Sequence, residues 1–300
     1  MGNSQRASET RSVPSAQAPE QTLKVSSVEE YLRQVDRAFQ TICPRSPRQC
    51  ELWYRGQGSA AFPLLPSIAR PPFNPELEIV TLSKFKSFVT PYVAGRLPAP
   101  PLPNGIPGYW NWLFEMQHYG VPTRLLDWSR DALVGLYFAV HQAPGDVGKD
   151  AAVWVLNPET LNQAFSFHSF LRPGFIPNVE DPSFNLFFGP RSEILQTDKP
   201  AAAIGPLNST RIIAQRGTFT VFPLRKTLTA LDQFPDAAQY LVKIVIAGSA
   251  IPHIIEQLNH YGITRIALFP EIQSIVDEIT LEMRAEGFLP PETQGTSPQV

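Results

Sequence analysis

The stretch EMQHYGVPTRLLDWSRDALVGLYFAV (residues 115–140) joins a polar, aromatic segment to an apolar helix. TRLLDWS predicts a short strand, and the apolar residues after it predict a helix through Val140. Asp127 has hydrophobic neighbours on both sides, and an unpaired buried carboxylate is costly. We therefore expect Asp127 to have a partner, for which Arg55 is the best candidate. Six polar or aromatic residues crowd into this stretch: His118, Tyr119, Thr123, Arg124, Asp127 and Trp128.

The composition of the whole chain indicates a globular protein. The chain has 300 residues, 43% of them hydrophobic, and a formal net charge of -2. That is enough apolar material for a sizeable core. The near-neutral balance gives no signal for nucleic acid or membranes, and basic residues do not cluster with aromatics. No apolar run reaches the length of a membrane span. We expect a soluble, cytoplasmic protein.

The predicted elements favour an α+β fold, a mixed sheet with flanking helices. ELWYRGQG, AAVWVL and YLVKIVIA each predict a strand, and RIIAQRGTFTVFP (residues 211–223) predicts two short strands or one bulged strand. Strands and helices do not alternate strictly. We expect a disordered tail over residues 1–24, a single domain over 25–286 and a disordered tail over 287–300.

Cysteine and histidine patterns indicate no metal site. Cys43 and Cys50 match no zinc spacing, and the five His residues are scattered. A disulfide is one interpretation, but free thiols in a reducing compartment fit the expected location better. Neither HExxH nor GxSxG occurs.

The first candidate site is WYRGQGS, with Tyr54, Arg55, Gly56 and Gln57. Glycines let a ligand or another backbone come close, and Arg offers two parallel donors to a phosphate or carboxylate. The alternative is a turn in which Arg55 pairs with a buried Asp. The two interpretations are compatible.

The second candidate set follows from the opening stretch. Arg124 and Asp127 are three apart, so on a strand they face opposite sides. His118 and Tyr119 end a helix and could point into a cleft, although such a His is more often a structural hydrogen-bonding group. Trp128 is more simply a core residue. Gln215 could bind a ribose hydroxyl or satisfy a bulge.

Four segments resemble the FRG domain family, which is named for an aromatic-Arg-Gly motif. They are YRGQ (54–57), QHYGVPTRLLDWS (117–129), LYFA (136–139) and AQRGTFTVF (214–222). The family occurs in bacteria and in phage-associated proteins. By association, the resemblance implies a role in bacterial or phage conflict.

The order of these motifs also resembles an ADP-ribosyltransferase with its split sheet. That resemblance implies NAD as cofactor, a macromolecular target, Arg55 as the residue that holds NAD, and Thr123 or Ser129 as the hydroxyl. Gln215 falls near the position of the catalytic Glu, but the late strand here has Gln-x-Gly where Glu-x-Glu is expected. Asp127 would then supply the negative charge.

If these residues form a nucleotide-binding cleft, as the resemblance implies, two sets of candidate residues follow. The catalytic candidates are Asp127, Gln215 and His118. The ligand-binding candidates are Tyr54, Arg55, Gly56, Gln57, Tyr119, Thr123, Arg124 and Ser129. The alternative function is a nucleotide sensor without chemistry, or a protein-interaction module.

Overall fold

The computed structural model describes residues 24–43, 50–93, 107–142, 148–163, 175–190, 197–205 and 209–290. The two predicted tails lie outside these ranges except for residue 24 and residues 287–290. Within the described ranges, no helix is both long and apolar enough to cross a membrane.

Six strands and ten α-helices build the described part of the chain. The strands are β1 (Trp53–Gln57), β2 (Leu125–Ser129), β3 (Ala151–Leu156), β4 (Ala201–Ala203), β5 (Gly217–Val221) and β6 (Leu241–Ile246). The helices are α1 (Val28–Ile42), α2 (Glu78–Val93), α3 (Pro107–His118), α4 (Ala132–His141), α5 (Pro158–Gln163), α6 (Pro182–Phe188), α7 (Thr210–Ala214), α8 (Ile251–His260), α9 (Arg265–Leu268) and α10 (Ile272–Ala285).

The strands form one open sheet in the order β4-β5-β2-β1-β3-β6. Every pairing between these strands is antiparallel. Parallel pairing among the described residues is confined to two isolated bridges, Val25 with Ile246 and Asn178 with Ile204. The predicted α+β fold with flanking helices is confirmed, although the sheet is antiparallel rather than mixed.

The sheet has a narrow seam in its middle. β1 shares five registered pairs with β3, and β2 shares five with β5. β1 and β2, in contrast, are registered at one position, Tyr54 opposite Ser129. The sheet therefore consists of two three-stranded halves that remain joined at this pair, so it is not fully split.

Side chains on the two faces of the sheet belong to two separate cores. Along β3, Trp154 and Leu156 join one cluster, which also contains residues of α3 and α6. Val153 and Val155 join the other, with residues of α1, α4 and α8. Because successive side chains of a strand point to opposite faces, the helices form a layer on each side of the sheet.

Gly56 sets how closely β1 approaches α4. A Cβ at this position would lie 2.2 Å from the Ala139 nitrogen and 2.3 Å from the Gly135 oxygen. Neither backbone atom can move without displacing the helix. The sequence predicted that the glycines of WYRGQGS let a ligand or another backbone come close. At Gly56, the group that comes close is the backbone of α4.

Two local predictions are wrong. RIIAQRGTFTVFP is neither two strands nor one bulged strand: its second half forms β5, but Thr210–Ala214 forms α7, which Ser209 caps by accepting from the Ile212 nitrogen at 3.1 Å. Gln215 and Arg216 therefore lie in a turn before β5. Cys43 and Cys50 are joined in a disulfide across a Cα–Cα distance of 6.1 Å, whereas the sequence favoured free thiols.

Candidate functional site

A cavity of about 160 Å³ lies at the seam between the two halves of the sheet. Residues from β1, α3, β2, α4, α7 and β5 line it. They are Tyr54, Arg55, Gly56, Phe114, Gln117, His118, Asp127, Trp128, Ser129, Phe138, Gln142, Arg211, Ile212, Gln215, Gly217, Thr218 and Phe219.

Arg55 spans the seam from β1 to β2. Its Nη1 donates to the main-chain oxygen of Asp127 at 2.6 Å. Its Nε is buried and has no hydrogen-bond partner among the described residues. Burial lowers the pKa of Arg55 to about 10, while Asp127 raises it and Arg70 lowers it. The side chain thus remains a cation at neutral pH that lines the cavity.

Asp127 was predicted to be a buried carboxylate paired with Arg55, and this is wrong. Its side chain is exposed, and its Oδ2 accepts from Gln117 Nε2 at 2.8 Å. Within the described chain, no ion pair within 4.0 Å joins it to Arg55. The two residues do meet, but through the backbone oxygen of Asp127. Its carboxylate is left facing the cavity.

Thr123 and Gln117 hold that carboxylate in place. The Thr123 hydroxyl donates to Gln117 Oε1, and the Gln117 amide nitrogen then points at Asp127. Thr123 is fully buried and lies outside the cavity lining. Its role is therefore to fix the orientation of Gln117 rather than to touch a ligand.

His118 and Gln215 both line the cavity. His118 Nε2 lies 4.0 Å from Glu271 Oε1, and its ring is edge-on to Tyr119. Gln215 uses its amide nitrogen to donate to the Leu268 oxygen at 3.0 Å, so its side-chain oxygen is the group left for a ligand. Both catalytic candidates lie in the same cavity as Asp127.

Tyr54 and Ser129 line the cavity but serve the fold as well. Burial raises the pKa of Tyr54 to about 12, with Asp131 and Asp36 adding to the shift. The Ser129 hydroxyl donates to the Gln215 oxygen at 2.7 Å and accepts from the Asp131 nitrogen at 3.0 Å. Asp131, not Ser129, caps α4.

Besides Thr123, three more predicted ligand-binding residues lie outside the cavity lining. Gln57 is buried and accepts from Trp154 Nε1 at 2.7 Å. Tyr119 is mostly exposed beyond the end of α3. Arg124 is 1% exposed and forms an ion pair at 3.0 Å with Glu78, which is 0% exposed.

The Arg124 contacts identify it as a structural residue. It donates to the Phe222 oxygen at 3.1 Å and to the Tyr109 hydroxyl at 2.8 Å, and also to the Phe188 oxygen. Burial lowers the pKa of Arg124, but Tyr109 and Glu78 outweigh it and the net pKa is raised. This buried network joins α2 and α3 to the residue before β2, outside the cavity lining, and a ligand role for Arg124 stays a prediction.

Sequence reasoning missed Gln117, Phe114 and Arg211. Phe114, Gln117 and His118 share one face of α3 at helical spacing, a signal that could have extended the prediction from His118. Arg211 was assigned to a strand, whereas α7 brings it to the cavity with its guanidinium 4.7 Å from the Phe269 ring. Among the described residues that line the cavity, the permanently charged groups are the guanidinium groups of Arg55 and Arg211 and the carboxylate of Asp127.

The comparisons with known proteins agree with the motifs that line the seam. The family model of the FRG domain matches residues 50–146. This range includes β1, α3, β2 and α4, which carry Arg55, His118 and Asp127. No curated protein and no solved structure matches the chain. No group of three or more His, Cys, Asp or Glu among the described residues could hold a metal ion.

Proposed function

Because the chain contains an FRG domain over residues 50–146, whose strands and helices carry most of the seam cavity, we propose that this cavity binds a nucleotide. NAD is the proposed substrate, and cleavage of its bond to nicotinamide is the proposed reaction. The observation that carries the proposal is Arg55, a cation that lines the cavity beside the carboxylate of Asp127.

The charges and rings of the cavity support an anionic, aromatic ligand. Arg55 and Arg211 outnumber the carboxylate of Asp127, which favours a phosphate-bearing group. Phe114, Trp128 and Phe219 offer aromatic surface beside them. The enclosed space of about 160 Å³ takes one end of a dinucleotide, so the other end would lie along the open mouth.

The proposed chemistry uses the few polar groups in the cavity. The bond between nicotinamide and C1′ of the ribose breaks, nicotinamide leaves with the bonding electrons, and water or a target nucleophile bonds to C1′. Asp127 would stabilise the positive charge that develops at C1′, because Gln215 carries no charge. His118 would accept the proton that the nucleophile releases.

A second candidate function is nucleotide sensing without chemistry. It is favoured by Gln215 in the turn before β5 and Gly217 at the start of β5, which stand where the resemblance expects two carboxylates. It is also favoured by Asp127, which is already hydrogen-bonded to Gln117. The same cavity would then bind NAD or another nucleotide and release it unchanged.

The test measures NAD binding by calorimetry and nicotinamide release by chromatography, with and without a cell lysate as a source of targets. Arg55→Ala is expected to weaken binding by about 1.5–3 kcal/mol, the range for a hydrogen bond to a charged group. Asp127→Asn keeps the acceptor for Gln117 but loses the charge. It is expected to bind NAD and to release nicotinamide about 10²–10³-fold more slowly.

Arg33→Ala, an exposed position on α1, is the matched control and should change neither quantity. Binding without release in the wild type would select the sensor. An absence of binding by a folded wild-type protein would contradict both functions. The conflict role implied by the family stays a prediction, to be tested by phage challenge of bacteria that express the wild type or Arg55→Ala.

A further inference from the structure

Helix α10 presents its apolar side to solvent. Ile272, Ile275, Val276, Ile279 and Met283 follow one another at helical spacing and are 40–83% exposed. We call these five residues the α10 stripe. Such a stripe normally faces a core, so its exposure marks a surface for another molecule.

The opposite face anchors α10 to the body of the protein. Ser274 is buried, and Asp277 pairs with Arg265 of α9 at 2.7 Å. The helix ends in a Schellman motif, because the Phe288 nitrogen donates to the Met283 oxygen at 2.8 Å and Gly287 has φ +82°. The helix is therefore well formed, and its polar side is the one packed inward.

We propose that the α10 stripe is a docking site for a basic amphipathic helix of a partner protein. Glu282 and Glu286 are exposed along one edge of the stripe, four residues apart, and no ion pair within 4.0 Å engages them among the described residues. Their charge is complementary to lysines or arginines that flank an apolar face. The stripe spans about three turns, which matches a partner helix of about 15 residues.

The acidic edge argues against other occupants. If two copies packed their stripes antiparallel about a twofold axis, Glu282 of one copy would lie on the same edge as Glu282 of the other, and like charges would repel. An anionic membrane surface would be repelled by the same carboxylates. The surface does not depend on the nucleotide cavity, so this proposal stands apart from the proposed function.

The test uses fluorescence anisotropy of the full chain with three labelled helical peptides of about 18 residues, long enough for a stable helix. One has a leucine face flanked by lysines, one has glutamates in place of the lysines, and one scrambles the lysine peptide so that it has no apolar face. The lysine peptide is expected to bind at least about tenfold more tightly than either control, and added salt should weaken it.

Two double variants locate the site. Ile275→Ser with Ile279→Ser removes apolar contact, and Glu282→Lys with Glu286→Lys reverses the edge charge; each should weaken binding by about tenfold or more. Phe88→Ser, an exposed apolar position on α2, is the control and should leave binding unchanged. Equal binding of all three peptides, an unaltered affinity in both double variants, or a dimer in light scattering that Ile279→Ser dissolves would overturn the proposal.

Discussion

At the scale of single residues, three arginines within residues 50–146 have different partners. Arg124 is fully buried against Glu78, Arg55 lines the cavity, and Arg130 pairs with Glu51 at the surface. Their sequence contexts are alike, since Arg55 lies in the apolar strand β1 while Arg124 and Arg130 flank the apolar strand β2. What separates them is the partner that the fold supplies, and that partner decides whether the charge stabilises the protein or is available to a ligand.

The buried pair predicts a large effect on stability. Arg124→Met is expected to lower the free energy of unfolding by about 3–5 kcal/mol, because Glu78 would be left as an uncompensated buried charge. Urea denaturation measures the change. Adding Glu78→Leu should restore part of the loss, since both charges are then gone. If the double variant loses the sum of the two single losses, the residues do not act as a pair.

At the scale of elements, the contact between β1 and α4 depends on one missing side chain. Gly56→Ala is expected to destabilise the protein by about 1–3 kcal/mol, because the new methyl group would overlap the α4 backbone. Gly108 in α3 is the matched control, since a Cβ there meets nothing within 4 Å. Gly108→Ala should be neutral or stabilising by about 0.5–1 kcal/mol. Thermal melts of both variants measure the two changes in stability.

The start of β3 carries a pH-dependent contact. Asp150 accepts from Lys24 at 2.8 Å and from the Gly248 nitrogen at 3.1 Å, and the Lys24 hydrogen bond is the largest cause of its lowered pKa. Its folded pKa lies below the unfolded value of about 3.9. The stability it contributes is therefore present above that value and is lost as the pH falls through the folded pKa.

Asp150→Asn tests this contact. The variant should be less stable than the wild type at neutral pH, by no more than about 1 kcal/mol because the pair is partly exposed. Denaturation curves measured from pH 7 downward should show the two proteins converging in acid. A difference that persists at low pH would show that the carboxylate charge is not the cause.

At the scale of the whole molecule, the sheet separates two cores. Leu113 belongs to one and Ile244 to the other, so their substitutions should act independently. Leu113→Ala is expected to cost about 2–5 kcal/mol and Ile244→Val about 0.5–1.5 kcal/mol. The double variant should match their sum within about 0.5 kcal/mol. A larger coupling would mean that strain passes through the sheet from one face to the other.

Local chemistry was sufficient to predict much of the fold. The apolar, β-branched and aromatic content of short segments predicted β1, β2, β3 and β6. Ser27 caps α1 by accepting from the Glu30 nitrogen at 3.2 Å, an arrangement typical of a capping box. The sequence His-Tyr-Gly occurs at residues 118–120 and 260–262, and in both places a helix ends before the glycine, which has φ +76°. These features depend on residues only a few positions apart, which is why a sequence suffices for them.

The sequence by itself therefore determined four of the six strands, the α+β class and the position of a cleft around Arg55, His118 and Asp127. The tertiary structure alone decided which charges meet. It paired Arg124 with Glu78 from a distant helix, placed Gln117 between Thr123 and Asp127, and brought Arg211 to the cavity on an unpredicted helix. The physical reason is that a charge or hydrogen-bonding group is satisfied by whatever the folded chain places within a few ångströms, and that neighbour is set by packing rather than by sequence spacing.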